Sequence, residues 1–408
     1  MRHFGLMERL PRSGAVPRGI DLRGPALLSY GFRPFFLLAG IFAVLDMVLW
    51  VAALSGLLSL GGDMGPIDWH AHEMLFGYGA AALCGFLLTA VPNWTGSLPV
   101  SGRPLLGLLL LWLAGRIVSL VPQWLGEIPS ATIDALFLPV LALLIAREVV
   151  VGRNWQNLRV VAGILLIALL NVAFHLATLA GWDEMIVLRA TVAVFVLLIG
   201  QVGGRVVPSF TRNYLARAGA TRLPHPQGWL DQVTMAATLL AGIAWSAAPE
   251  GWPTALLALA AAALHAVRLA GWHGWAARKE PLLLVLHVGY GFVAIGWAGV
   301  AAAAVGLLAE PSALHLLTAG AIGLMTLAIM TRASRGHTGR PLTASTTTSI
   351  SYLCLFAAAV FRPLAEMVPP AYHLLLDMSA LAWIAAFALF TIEHAPILLR
   401  PSLGGRRK

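Results

Sequence analysis

The chain has 408 residues, 59% of them hydrophobic and only 11% charged, with a mean hydropathy of +0.81 and a net charge of +9. A soluble domain carries roughly 25% charged residues, so this chain has too little polar surface to face water, and the bilayer is its expected solvent. Two cysteines, Cys84 and Cys354, both inside apolar runs, exclude a secreted disulfide framework, and the lack of a CxxCH excludes a covalently attached c-type haem.

Residues 1–33 are basic and rich in Pro and Gly. They lack a short apolar core followed by a small-residue cleavage site, which reads as a retained cytoplasmic tail rather than a signal peptide. Twelve apolar runs follow, each near the roughly 20 residues that a helix needs to cross the hydrocarbon. They cover 34–60, 70–92, 104–122, 130–149, 160–180, 185–208, 229–248, 253–274, 282–308, 312–332, 346–367 and 371–398. The runs are continuous and rich in Leu and Ala rather than alternating, which argues against membrane strands. The expected fold is all-α, a polytopic membrane bundle of about twelve transmembrane helices. It divides into a basic N-terminal tail (1–33), a transmembrane domain (34–398) and a basic C-terminal tail (399–408).

Lys and Arg set the expected direction. The basic residues fall in every second connection and at both chain ends, while the intervening loops hold Asp63, Asp68, Glu127, Glu250 and Glu310. All of the basic residues except Arg116, Arg189 and Arg362 then face one side, taken as the cytoplasm, with both termini there. This topology accounts for the positive charge without nucleic-acid binding. On the second span, Gly77, Ala81 and Gly85 recur at helical spacing and form a seam for close helix packing.

Histidine placement carries the functional information. His70 and His72 open the second span, His175 lies near the same face on the fifth, His315 opens the tenth and His373 the twelfth. Polar groups within a span are costly and face the bundle interior or a cavity, and neutral imidazole ligates haem iron and copper. A lone histidine near a helix end is most often interfacial, a reading that suits His373 best. His72 is two positions from His70 and points the other way on a regular helix. The two share one centre only if the helix starts between them. Asn171, His175 and Thr178 form a polar stripe in which Asn171 orients the imidazole or bonds a neighbouring helix. Arg116 and Asp134 read as a mutual salt bridge, or the arginine as a holder of haem propionates. His287 and His337 fall towards the cytoplasmic side, near the Gly- and Arg-containing helix ends Gly200 to Leu215 and Met330 to Leu342. No phosphate-loop motif is present. The second and tenth spans both open on histidine and run through small residues, a hint of internal duplication.

The order and spacing of several segments resemble the NnrS-type membrane proteins over nearly the whole chain. The carriers are GFRPFF (Gly31 to Phe36), WHAHEMLFGYGAAALCGFLLTAVPNWTG (Trp69 to Gly96), NVAFH (Asn171 to His175), GGRVVPSFTRN (Gly203 to Asn213), LHVGY (Leu286 to Tyr290) and HLLTAGAIGLMTLAIMTRASRGHTGRPL (His315 to Leu342). The resemblance implies haem b and copper, the bacterial cytoplasmic (inner) membrane, and a role in nitric-oxide metabolism, in denitrification or in defence against nitrosative stress. The recurrent histidines of that family fall here on His70, His72, His175, His287, His315 and His337, with no assignment of metal to ligand.

The resulting candidates are His70, His72, His175 and His315 as metal ligands, with His287 belonging to a second centre or only to the fold. Glu73 and Asn171 are hydrogen-bond supports or proton relays. Arg116, Arg205, Arg332 and His337 are propionate holders or structural residues. The expected partners are membrane lipid and nitric oxide, not nucleic acid. The competing reading is a secondary transporter whose path is lined by Asn171, His175, Arg116 and Asp134. The two readings part on colour, since only a haem protein purifies with a Soret band.

Overall fold

The computed structural model describes residues 24–403, so most of the two basic tails, 1–23 and 404–408, lies outside the described residues. Twelve long helices follow one another, and no strand occurs among the described residues. In chain order they are α1 (Phe32–Leu54), α2 (Gly62–Thr95), α3 (Gly102–Leu120), α4 (Glu127–Val151), α5 (Trp155–Ala180) and α6 (Met185–Arg217). The second half comprises α7 (Trp229–Ala247), α8 (Trp252–Ala270), α9 (Pro281–Ala304), α10 (Glu310–His337), α11 (Thr346–Met367) and α12 (Pro369–Leu399). Helices satisfy their own backbone polar groups, which hydrocarbon demands. Their outward faces expose residues such as Leu143, Leu169 and Leu381, as a lipid-facing surface does.

Eleven of the twelve are long and apolar enough to cross a membrane; α7 is the exception. Its first turn carries Asp231 and Gln232, which lowers its hydropathy. Asp231 accepts from the Gly228 backbone N–H at 2.7 Å and from Arg268 Nε of α8 at 2.7 Å, so the charge is both a helix cap and half of an ion pair.

The chain closes on itself. α1 packs against α12 and α2, and the order continues through the pairs α11–α12, α9–α10, α8–α9 and α7–α8. Arg33, expected in the tail, is instead a buried residue of α1. Its Nη1 donates to the carbonyls of Leu398 at 2.8 Å and Arg400 at 2.7 Å, fastening the first helix to the last. α2 is the central helix: 83% of its most apolar stretch is buried, against 33% for α12. The small-residue seam makes this possible. A Cβ added at Gly85 would lie 2.7 Å from the Phe36 ring, and one at Gly77 would lie 2.7 Å from Phe42.

Three helices are interrupted by π-helical segments: α2 at Glu73–Gly79, α6 at Ile199–Gly203 and α10 at Leu316–Gly323. Two of these begin on the residue after a histidine, His72 in α2 and His315 in α10. Such segments shift the register of a helix and concentrate at functional sites. They give α2 and α10 a common design, in keeping with the duplication hint.

Candidate functional site

α2 distributes its first two histidines to different surroundings. His70 faces α1, where Nδ1 donates to Asp46 Oδ1 at 2.7 Å and the ring stacks on Trp50, 4.4 Å between centroids and 21° between planes. Asp46 is fully buried. On α10, His315 Nδ1 donates to the Pro311 carbonyl at 2.7 Å. An imidazole whose Nδ1–H is committed to an oxygen carries its lone pair on Nε2, the state in which histidine ligates a metal. His70 and His315 line the same cavity of about 450 Å³, together with Met74, Trp383 and Arg362. Trp50 Nε1, which lines it too in part, and Arg362 Nε are buried without a hydrogen-bond partner among the described residues.

His72 points into a closed cluster between α2, α3, α4 and α5. Its Nδ1 lies 2.9 Å from Glu73 Oε1, and its Nε2 lies 2.9 Å from Asn171 Oδ1 and 3.3 Å from Asp134 Oδ2. Asn171 Nδ2 donates to Asp134 Oδ2 at 2.9 Å, which fixes the amide with its oxygen towards His72. His175 Nε2 donates to the same Asp134 oxygen at 2.9 Å. Arg116 bridges Glu73 and Asp134, and Ser119 Oγ donates to Glu73 Oε1 at 2.7 Å. Close helix approach builds the bridge: a Cβ at Gly77 would sit 2.6 Å from Arg116 Nη1, and one at Gly115 would sit 2.9 Å from Asp134 Oδ1.

The charges here do not balance. Asp46, Glu73 and Asp134 are buried carboxylates, and Arg116 is the guanidinium that reaches two of them. Uncompensated charge is expensive in such surroundings. Both ring nitrogens of His72 face oxygens that only accept, so a proton on that ring or a bound cation supplies what is missing. His72, Asp134 and His175 each offer one ligand atom, all within 4.8 Å of one another, a grouping that could hold a metal ion. Imidazole and carboxylate together suit zinc, copper and iron.

The sequence-predicted residues therefore fall into three places. His70 and His315 share the cavity, while His72 and His175 share the closed cluster with Glu73, Asn171 and Arg116. His287 lies at the opposite end of the bundle, with Nδ1 donating to the Leu283 carbonyl at 2.9 Å and Nε2 3.3 Å from Thr211 Oγ1. Arg205, Arg332 and His337 lie together at that end, around a second cavity of about 530 Å³. Helical period separates His70 from His72, since α2 begins well before both. Arg116 takes the salt-bridge role, with its guanidinium committed to two carboxylates. Sequence reasoning missed Asp46, although a lone carboxylate in the middle of an apolar span is itself a signal. It also missed Trp50 and Ser119, which no local pattern marks. Cys84 is buried and unbonded, a packing residue.

Comparison with curated proteins finds no match. A family model described as NnrS protein matches residues 26–402, from the turn before α1 to just beyond the end of α12, and the chain belongs to the NnrS family.

Proposed function

We propose that this protein binds haem b and copper in the bacterial cytoplasmic membrane and acts in nitric-oxide metabolism, in denitrification or in protection against nitrosative stress. The observation that carries the reading is the pairing of His70 and His315, each with Nδ1 committed and Nε2 left for a ligand, on one 450 Å³ cavity. Binding pockets of roughly 300–1,000 Å³ suit cofactor-sized molecules.

The donor chemistry suits two different groups. The cavity has the room and the apolar walls for a flat macrocycle, with Trp383 and Met74 among its lining. His70 and His315 would hold the iron. Asp46, accepting the Nδ1–H of His70, would orient that ring and raise its basicity. Arg362, whose buried Nε has no partner among the described residues and whose Nη1 donates to Glu366 at 3.1 Å, would receive a propionate. The closed cluster is buried and its ligand atoms lie within 4.8 Å of one another, a spacing for one ion. His72, His175 and Asp134 would hold a single ion there, and the buried negative charge of the cluster favours a divalent cation such as Cu(II). Ferrous haem and copper supply redox centres that bind nitric oxide. Glu73, bonded to His72, Arg116 and Ser119, is placed to hold or pass a proton between the cluster and α3.

A pyridine haemochrome assay and metal analysis of detergent-purified protein after haem-replete expression test the proposal. A Soret band together with bound copper is the expected result, and colourless, metal-free protein contradicts it.

One observation favours a second reading, that of a transporter. A small apolar cavity of about 90 Å³ lies between the two large ones and shares Ile322 with one and Phe86, Val206 and Ile329 with the other. The three together follow α2, α6 and α10 along the bundle. No charged residue lines the middle one, which makes it a barrier to ions and polar solutes. The haem and copper reading is therefore preferred.

A further inference from the structure

The cavity at the arginine end has no place in the haem and copper reading, and its lining is unlike that of the histidine end. It is bounded by the ends of α2, α6 and α10, and no carboxylate lines it. Two guanidinium groups and an imidazole do. Arg205 stands two residues beyond the π-helical segment of α6. Its Nη1 donates to Asn157 Oδ1 at 3.1 Å, and its plane lies over the Trp94 ring at 5.1 Å. Its Nη2 is buried and has no hydrogen-bond partner among the described residues. Arg332 lies over the Phe210 ring at 4.1 Å, and neither arginine takes part in a salt bridge among the described residues. His337, stacked on Tyr30 at 5.9 Å, adds its imidazole to the lining.

Two like charges facing one cavity repel, and a buried N–H left without an acceptor costs free energy. An oxyanion in the cavity removes both penalties. The aromatic contacts hold each guanidinium plane in place before a ligand arrives, so little order is lost on binding. A guanidinium fork matches the oxygens of a phosphate group. Most of the remaining wall, which includes Phe86, Ile329 and Leu342, is apolar, with Thr89, Asn93 and Ser209 interspersed, and suits a hydrocarbon body rather than a bare ion.

We propose that this cavity is a binding site for a phosphate-headed amphiphile, with Arg205 and Arg332 grasping the phosphate. An anionic membrane lipid and a soluble phosphate ester share this chemistry, and the test separates them. It is independent of the metal reading, because none of these residues approaches the histidine cluster.

The full chain is reconstituted in nanodiscs of phosphatidylcholine doped with phosphatidylglycerol, returned to detergent, and its retained lipid counted by native mass spectrometry. Wild type is expected to retain phosphatidylglycerol in preference to phosphatidylcholine. Arg205→Gln with Arg332→Gln is expected to lower that retention by about tenfold or more, as loss of two charge-assisted hydrogen bonds implies. Arg332→Lys, which keeps the charge, guards against a folding defect and is expected to retain an intermediate amount. In the second arm, glycerol 3-phosphate is titrated against wild type while thermal unfolding is followed. Stabilisation that the double variant lacks assigns the site to a soluble ester; lipid retention without it assigns the site to lipid. Equal lipid retention in wild type and double variant, with no stabilisation of wild type by the ester, overturns the proposal. So does loss of haem from the double variant with lipid retention unchanged, which would assign the two arginines to the cofactor.

Discussion

The two large cavities of this bundle have similar volumes, about 450 and 530 Å³, and both are built on α2 and α10, yet their linings are of opposite sign. The histidine end is acidic: Asp68, Glu310 and Glu366 line it with Arg362, and Asp46, Glu73 and Asp134 lie buried behind it. The arginine end has Arg205, Arg332 and no carboxylate. Between them lies an apolar constriction of about 90 Å³ with no charged lining. Shape alone does not distinguish the two ends; the side chains do. The acidic end suits a bound cation or a metal-containing cofactor, and the basic end suits an anion. The apolar middle keeps the two chemistries apart.

The largest expected effect comes from removing the charge that holds the acidic end together. Arg116→Met leaves Glu73 and Asp134 buried without their guanidinium, with only His72, His175, Asn171 and Ser119 as partners, and is expected to destabilise the protein by about 3–5 kcal/mol. Thermal unfolding of purified protein, or its yield in membranes, measures the loss. Unchanged stability would mean that another cation, not Arg116, compensates the cluster.

A smaller effect is expected from Asp46→Asn. The substitution keeps the shape but removes the carboxylate that polarises His70 Nδ1–H. Losses of such a support lower metal affinity by roughly 10–100-fold. Haem retention during dialysis, compared with wild type, reads it, and equal retention would separate Asp46 from the cavity ligand.

The smallest effect is expected at the basic end. Arg332 makes no salt bridge among the described residues, so the main contact that Arg332→Gln forfeits is that with Phe210, worth roughly 1 kcal/mol or less. Unfolding of this variant beside Arg116→Met puts the asymmetry of the two ends on one scale. If the two variants lose comparable stability, the contrast between a charge-paired end and an anion-ready end fails.

How much of this was legible in the sequence follows from what a one-dimensional pattern encodes. Hydropathy located all twelve helices, because hydrocarbon leaves a continuous apolar stretch no other regular form. Only α7, with Asp231 and Gln232 in its first turn, falls short of a spanning stretch. Histidine depth was legible too. His70, His72, His175 and His315 lie at one end, and His287 and His337 lie at the other. The close-packing seam at Gly77, Ala81 and Gly85 was also readable, since helical spacing of small residues predicts contact directly.

Which histidine meets which was not readable. Depth does not give direction around the bundle axis, and the partners lie far apart in sequence: Asp46 on α1 for His70, and Asp134 on α4 for His72 and His175. The π-helical segments at Glu73–Gly79 and Leu316–Gly323 have no local signature, yet they set the register of the residues that follow each histidine. The convergence of Arg205 with Arg332 and His337 on one cavity was hidden for the same reason, since Arg205 is on α6 and the other two are on α10.

The central claim is that two centres lie side by side, His70 and His315 on the cavity and His72 and His175 in the closed cluster. The most direct test is an optical spectrum with metal analysis on purified wild type and on the four single histidine-to-alanine variants. His70→Ala and His315→Ala are expected to lose the Soret band and keep copper, while His72→Ala and His175→Ala lose copper and keep the haem. Loss of both groups together from every variant would contradict the division into two centres, and a colourless wild type would contradict the haem assignment itself.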